Sequence, residues 1–219
     1  MRQRSVCVGD EALSLDGNQL TYIFTRAFHG ISGLLSLSLH NNNISLLDNG
    51  LFSNLRQLTT LLLHDNKLGL PSIAAGVFDS LVSLTYIDLS SNQLKSDSLH
   101  RAFLRRSTSL RHVYLDDNQL STLDPCLLAV TSTHTTPRRT LSLLANPIHC
   151  DCSLTWLLTL RYNHHSLFVR ASPLAEPNVE MSMMSVCVCL SVCQHIPGTT
   201  RKHTIFTNLF TEWKRFGCR

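Results

Sequence analysis

The sequence predicts an α/β fold: a horseshoe-shaped solenoid with short parallel strands on its concave face and a helix closing its C-terminal end. Three observations predict it. Asparagine recurs at Asn18, Asn42, Asn66, Asn92, Asn118 and Asn146, with gaps of 24, 24, 26, 26 and 28 residues. Around each asparagine the same apolar positions return. And of the 40 leucines in the 219-residue chain, 36 fall before residue 161. Periods of this length mark coils that stack because one coil alone cannot bury its own apolar face.

The coils follow in order over residues 10–148. The first and last are Leu13, Leu15, Asn18, Leu20 and Leu141, Leu143, Asn146, Ile148. Between them come Leu37, Leu39, Asn42, Ile44, then Leu61, Leu63, Asn66, Leu68, then Ile87, Leu89, Asn92, Leu94, then Val113, Leu115, Asn118, Leu120. Four copies open three residues earlier with Leu34, Leu58, Leu84 and Leu110. The alternation has period two, so both apolar residues of each strand point to one side. The asparagine turns the chain out of the strand. Its amide both donates and accepts, so it satisfies backbone groups buried in that turn. Phe28, Phe52, Phe78 and Phe103, with Leu128 in place of a fifth, are expected to fill the wide back of the coils. Insertions at Asp97-Ser98 and over 131–136 are expected to bulge on the convex side or at the rim. The leucines and phenylalanines are core and receive no binding role.

This pattern, L-x-x-L-x-L-x-x-N-x-L, resembles the leucine-rich repeat family. Residues 146–157 read Asn-Pro-Ile-His-Cys-Asp-Cys-Ser-Leu-Thr-Trp-Leu. That segment is similar to the C-terminal cysteine cap of extracellular members such as slit proteins, Nogo receptors, chondroadherin and Toll-type ectodomains. The resemblance implies a cap over 149–178, with Leu154, Trp156 and Leu157 covering the last coil. It also implies two disulfides, first cysteine to third and second to fourth. The sequence departs from the pattern at Arg170, which stands where the third cysteine is expected. Cys150 and Cys152 therefore pair with tail cysteines, for which Cys187, Cys189 and Cys193 are the candidates, or one thiol is free. A zinc site is the other meaning of C-x-C, but His149 beside it is no standard zinc spacing.

Residues 179–219 have no repeat or cap register. The run MSMMSVCVCLSVC at 181–193 is low in complexity. It reads first as a disordered or non-native tail, such as a translated intron or mispredicted exon. A divergent cap and a short membrane anchor are the other two readings. Residues 1–9 are expected to be a truncated lead-in: Cys7 alone does not make the N-terminal cap that the resemblance implies. No signal peptide opens the chain, since no apolar run follows Met1-Arg2-Gln3-Arg4. The chain is thus expected to be a fragment of a longer extracellular or cell-surface protein, whose membrane attachment would lie in the parent. Cys126 is expected to be a lone thiol.

Charge narrows the function. The net charge is +4, but before residue 179 basic and acidic residues nearly balance, so a phosphate-tracking surface is disfavoured. No nucleophile-elbow, zinc-protease or phosphate-loop motif is present, so no catalysis, cofactor or metal is expected. What remains is the surface between the core leucines, about 25–30 Å across six strands. It suits a protein partner better than a small molecule or nucleic acid. Three columns cross it: Ala12, Ser36, Thr60, Tyr86, His112, Thr140; then Ser14, Ser38, Leu62, Asp88, Tyr114, Ser142; then Asp16, His40, His64, Ser90, Asp116, Leu144. The candidate contact residues are His64, Tyr86, Asp88, Arg111, His112, Tyr114 and Asp116, because aromatics and arginine dominate interface hot spots. The alternative is a plain solvated face. His40 and His64 share a column and are an ordinary exposed pair, or a metal or pH site. Asn43-Ile44-Ser45 is the single N-glycosylation acceptor. The function expected is recognition of a protein partner in adhesion, guidance or immune recognition. The alternatives are the front end of a larger extracellular enzyme such as a peroxidase, and an intracellular scaffold.

Overall fold

A computed structural model describes residues 7–9, 11–69, 73–74, 76–99, 104, 106–107, 109–123, 139–148 and 167–171. Eight strands form one sheet in chain order. They are β1 (Cys7–Gly9), β2 (Ala12–Ser14), β3 (Ser36–Ser38), β4 (Thr60–Leu62), β5 (Tyr86–Asp88), β6 (His112–Tyr114), β7 (Arg139–Leu143) and β8 (Leu167–Ala171). Strand β1 pairs antiparallel with β2, and every later pairing is parallel. Each coil therefore advances the sheet by one strand, and the register keeps Leu13, Leu37, Leu61, Ile87, Val113 and Leu141 side by side. From Leu37 onward these six-column residues are buried, as are Leu39, Leu63, Leu89 and Leu115 one step along. Removing such a side chain from water is worth about 2 kcal/mol each.

The α/β expectation is corrected. The fold is a parallel β-solenoid, and no α-helix occurs among the described residues. The convex side is made of tight turns whose amides bond three residues back, as in Leu51 N–H to Asp48 O, Ser53 to Gly50 and Leu55 to Phe52, repeated by Val77 to Ala74, Asp79 to Gly76 and Leu81 to Phe78. A coil of 24 residues leaves too little chain for a helix to outlast its nucleation penalty. Gly50 and Gly76, both at φ +80, also break any helical run at its start. Among the described residues the one regular piece there is the 3-10 turn Ser96–Ser98, which takes up the Asp97-Ser98 insertion. The expected cap helix at Leu154, Trp156 and Leu157 lies outside the described residues. So do Phe103, Cys126, Leu128, the 131–136 insertion, Cys150, Cys152, Cys187, Cys189, Cys193 and the tail.

Two strands extend the sheet past the six repeats. β1 comes from the expected lead-in, and β8 from the stretch expected to be cap. β8 runs parallel to β7 with five paired residues, and Arg170 stands opposite Ser142.

Two stacks hold the coils together. Phe28, Phe52 and Phe78 line up behind the sheet with ring centroids 6.0 and 5.9 Å apart and nearly parallel planes. The asparagine ladder runs along the other edge. Asn66 is representative: its Nδ2 donates to Leu63 O and His64 O in its own coil and to Leu39 O in the coil before. Its Oδ1 accepts the Ile44 N–H of that preceding coil. Asn42, Asn92, Asn118 and Asn146 repeat this four-contact pattern, and all five are buried. Among the described residues Asn18 bonds only within its own turn, to Leu15 O and Asp16 O. The asparagine thus closes its own turn, as the sequence predicts, and also clasps the neighbouring coil.

The residue before each ladder asparagine is left-handed. Gly17, Asn41, Asp65, Ser91, Asp117 and Ala145 all have φ between +50 and +62. This bend aims the asparagine amide inward. Glycine, asparagine and aspartate tolerate it well; Ala145 does so under strain of about 1 kcal/mol.

Candidate functional site

Strand residues between the core positions point away from the core, because side chains alternate along a strand. In β3, β4, β5 and β6 the outer two residues are half-buried around a buried centre. The concave face is therefore a grid whose rows are coils and whose columns are set by the parallel register.

On coils four and five the grid is aromatic. Tyr86 pairs with His112, and Asp88 with Tyr114. The Tyr86 ring lies 5.9 Å from His112 at 44° and 5.3 Å from Tyr114 at 35°. Burial pushes the Tyr86 hydroxyl above its ordinary pKa, and the nearby Asp88 charge and Tyr114 push the same way. Asp88 Oδ1 accepts the Ser90 N–H at 3.0 Å. Asp116 continues along the same face, and its Oδ1 accepts the Leu144 N–H at 2.7 Å. One carboxylate oxygen of Asp88 thus fixes its own coil's backbone and one of Asp116 ties it to the next coil, and the second oxygen of each is left for solvent or a partner.

The remaining candidates sit differently. Arg111 lies one residue before β6, exposed at the edge of the face. His64 belongs to a second cluster, on coils two and three in the column that also holds Asp116. Its ring stacks on His40 with centroids 4.4 Å apart, and its Nδ1 lies 2.9 Å from Asp65 Oδ2. His40 is held by Ser38 Oγ at 2.7 Å and stands 3.8 Å from Asp16. Stacked rings present their nitrogens to flanking groups rather than to a common point, and no cluster of three metal-binding side chains exists among the described residues. The structure therefore brings together Tyr86, Asp88, His112 and Tyr114, with Asp116 adjoining, and sets His64 apart with His40. Ser142, in the same column as Asp88 and Tyr114, is 1% exposed and its Oγ has no hydrogen-bond partner among the described residues, so the open grid ends before β7.

Outside the grid, Phe24 is 75% exposed and meets Tyr22 edge to face at 5.1 Å. Tyr22 donates its hydroxyl to Asp48, a bond that raises its pKa above the usual phenol range. Nothing in the repeat pattern pointed to this pair; an aromatic in a coil position otherwise filled by Leu46 was the available signal. Asn43, the glycosylation candidate, follows the buried Asn42, with its amide bonded to Leu20 O and its acceptor serine, Ser45, exposed. No helix among the described residues is long and apolar enough to cross a membrane.

Comparison with known proteins matches this geometry. Residues 11–68 match a family described as leucine rich repeat, and residues 83–104 and 109–130 match a second leucine rich repeat family. No curated protein matches the sequence. Among solved structures, the leucine-rich repeat domain of APL1B is similar at 26% identity and a TM-score of 0.54, over 64% of this chain and 39% of that one. A chain of the LRIM1/APL1C complex is similar at 26% identity and 0.54, over 63% of this chain and 24% of that one. The APL1 leucine-rich repeat domain shares the fold at 24% identity and 0.52, over 74% of this chain and 49% of that one. The chain spans between about a quarter and a half of the length of these relatives.

Proposed function

We propose, from the premise that this chain carries a leucine-rich repeat domain related to the APL1 and LRIM1 proteins, that coils four and five form its partner-binding surface. Such repeats are non-catalytic protein-interaction modules, and the chain is not an enzyme. The observation that carries the proposal is the joined cluster of Tyr86, Asp88, His112 and Tyr114 on the concave face. Aromatic groups give large contact area at low ordering cost, which is why they anchor protein interfaces. Arg111 and Asp116 extend the surface as a polar rim, and His64 lies beyond it. The LRIM1/APL1C complex, in which a similar chain is assembled with another protein, supports a protein as the partner.

The working location is outside the cell or on its surface. The C-x-C segment at Cys150 and Cys152, with Cys187, Cys189 and Cys193 as possible mates, favours an oxidising compartment. A sugar on Asn43 agrees with it. Adhesion, guidance and immune recognition are the roles in which such a surface would act.

The test is a binding screen of the full chain against an array of extracellular proteins. Any true partner should lose about tenfold or more in affinity with Tyr114→Ala. Affinity should be unchanged with Arg56→Ala, which alters an exposed turn residue before β4. A partner that ignores Tyr114→Ala and Tyr86→Ala alike moves the site elsewhere. Secretion from a eukaryotic cell behind a supplied signal peptide, with a Ser45-dependent mass increase, checks the sugar on Asn43.

A further inference from the structure

Strands β5 and β6 build a corner that no other described coil repeats. Tyr86 and Asp88 are two apart on β5, so both side chains leave by the same face. Asp88 stands in register with Tyr114, and the two phenol rings are tilted by 35° at 5.3 Å. The carboxylate is bordered along its strand by one ring and across the sheet by the other. His112, 5.9 Å from Tyr86, walls the corner on the far side.

Among the described residues no cation compensates the charge in this corner. Asp16 and Asp65 face histidines, Asp79 faces Arg106 at 3.4 Å, and Asp48 accepts the Tyr22 hydroxyl. Asp88 makes no ion pair among the described residues, and neither does Asp116 or the nearby Arg111. Asp88 uses Oδ1 on the Ser90 N–H, which leaves Oδ2 open.

We propose that the Tyr86–Asp88–Tyr114 corner receives a cationic side chain from the protein partner, arginine in preference to lysine. The inference rests on the concave-face reading and names the partner's chemistry. An aromatic face attracts a cation through its quadrupole, and a carboxylate beside the ring supplies the counter-charge. A guanidinium is planar, so it lies along a phenol ring while its N–H groups donate to Asp88 Oδ2. An ammonium satisfies the charge but not the plane. A carboxylate on the partner would meet Asp88 and Asp116, both negative, and be repelled.

Blocked tripeptides Gly-Arg-Gly, Gly-Lys-Gly, Gly-citrulline-Gly and Gly-Glu-Gly, titrated into the full chain, test this by NMR of the Tyr86 and Tyr114 rings. The arginine peptide should give saturable shifts, the lysine peptide weaker ones, and citrulline and glutamate none. Asp88→Asn keeps an oxygen for the Ser90 N–H, so the strand is retained, and it should weaken the arginine peptide about tenfold or more. Tyr86→Ala removes one ring and should weaken the arginine peptide too, whereas Arg56→Ala, in an exposed turn before β4, should bind as the parent does. Citrulline binding as well as arginine, Asp88→Asn binding unchanged, or no peptide shifting the rings would each overturn the proposal. If a partner found in the screen still depends on Tyr114 while the arginine peptide is silent, the concave surface stands and the cation corner falls.

Discussion

Coils two and three and coils four and five share one frame and carry different surfaces. Their strands have the same register and the same pattern of a buried centre between half-buried neighbours. Their ladder asparagines make the same four contacts. Yet the first pair presents Ser36, Ser38, Thr60 and Leu62, while the second presents Tyr86, Asp88, His112 and Tyr114. Energetics explains the division. Core positions lose several kcal/mol when altered, whereas outward positions change stability little. Recognition can therefore vary along the array without touching what folds it.

Substitutions that separate frame from surface sharpen this comparison. Phe52→Ala should have the largest effect, about 4 kcal/mol in chemical denaturation, because Phe52 is fully buried between Phe28 and Phe78. Asn92→Ala should cost about 3 kcal/mol by the same measurement, since the Leu68 N–H and the Leu63 and Leu89 carbonyls lose a buried partner. Ala145→Gly should instead stabilise the array, by about 1 kcal/mol or less, by relieving its left-handed backbone at φ +54. Tyr114→Ala should shift stability by only about 0.5 kcal/mol, and a larger loss would show that the surface is part of the frame. Finally, Asp88→Asn should lower the titration midpoint of the Tyr86 phenol, followed by ultraviolet absorbance. Its negative charge opposes phenolate formation, so removing it moves the pKa down toward the ordinary value.

The frame was legible in the sequence because each coil restates it. Leu37 and Leu61 carry the same burden, so spacing alone placed them side by side, and six asparagines located six turns. The convex side was less legible. Leu51, Leu55 and Leu58 have a spacing that a helical turn shares, and only the backbone shows amides bonding three residues back behind Gly50. The left-handed residue before each asparagine left a partial trace, since Gly17, Asn41, Asp65 and Asp117 are types that favour it, while Ala145 gave no sign. Of the candidate surface, the Tyr86, Asp88, His112 and Tyr114 grouping followed from register. The pairing of His64 with His40 also followed from the shared column, but the contacts of their ring nitrogens with Ser38 and Asp65 did not, because those are decided by side-chain packing. Strand β8 was invisible to the repeat pattern, having no asparagine of its own to announce it.

The clasp made by each ladder asparagine from Asn42 onward reaches one coil back and no farther. Asn66 touches the coils of Leu63 and Leu39, Asn92 those of Leu89 and Leu63. Every joint in the array is thus the same joint, and none depends on how many others exist. A segment of about one coil could be copied or excised at the level of the gene and the two new neighbours would still fit. Array length, and with it the span of the recognition surface, is then a quantity that inheritance can adjust in whole steps.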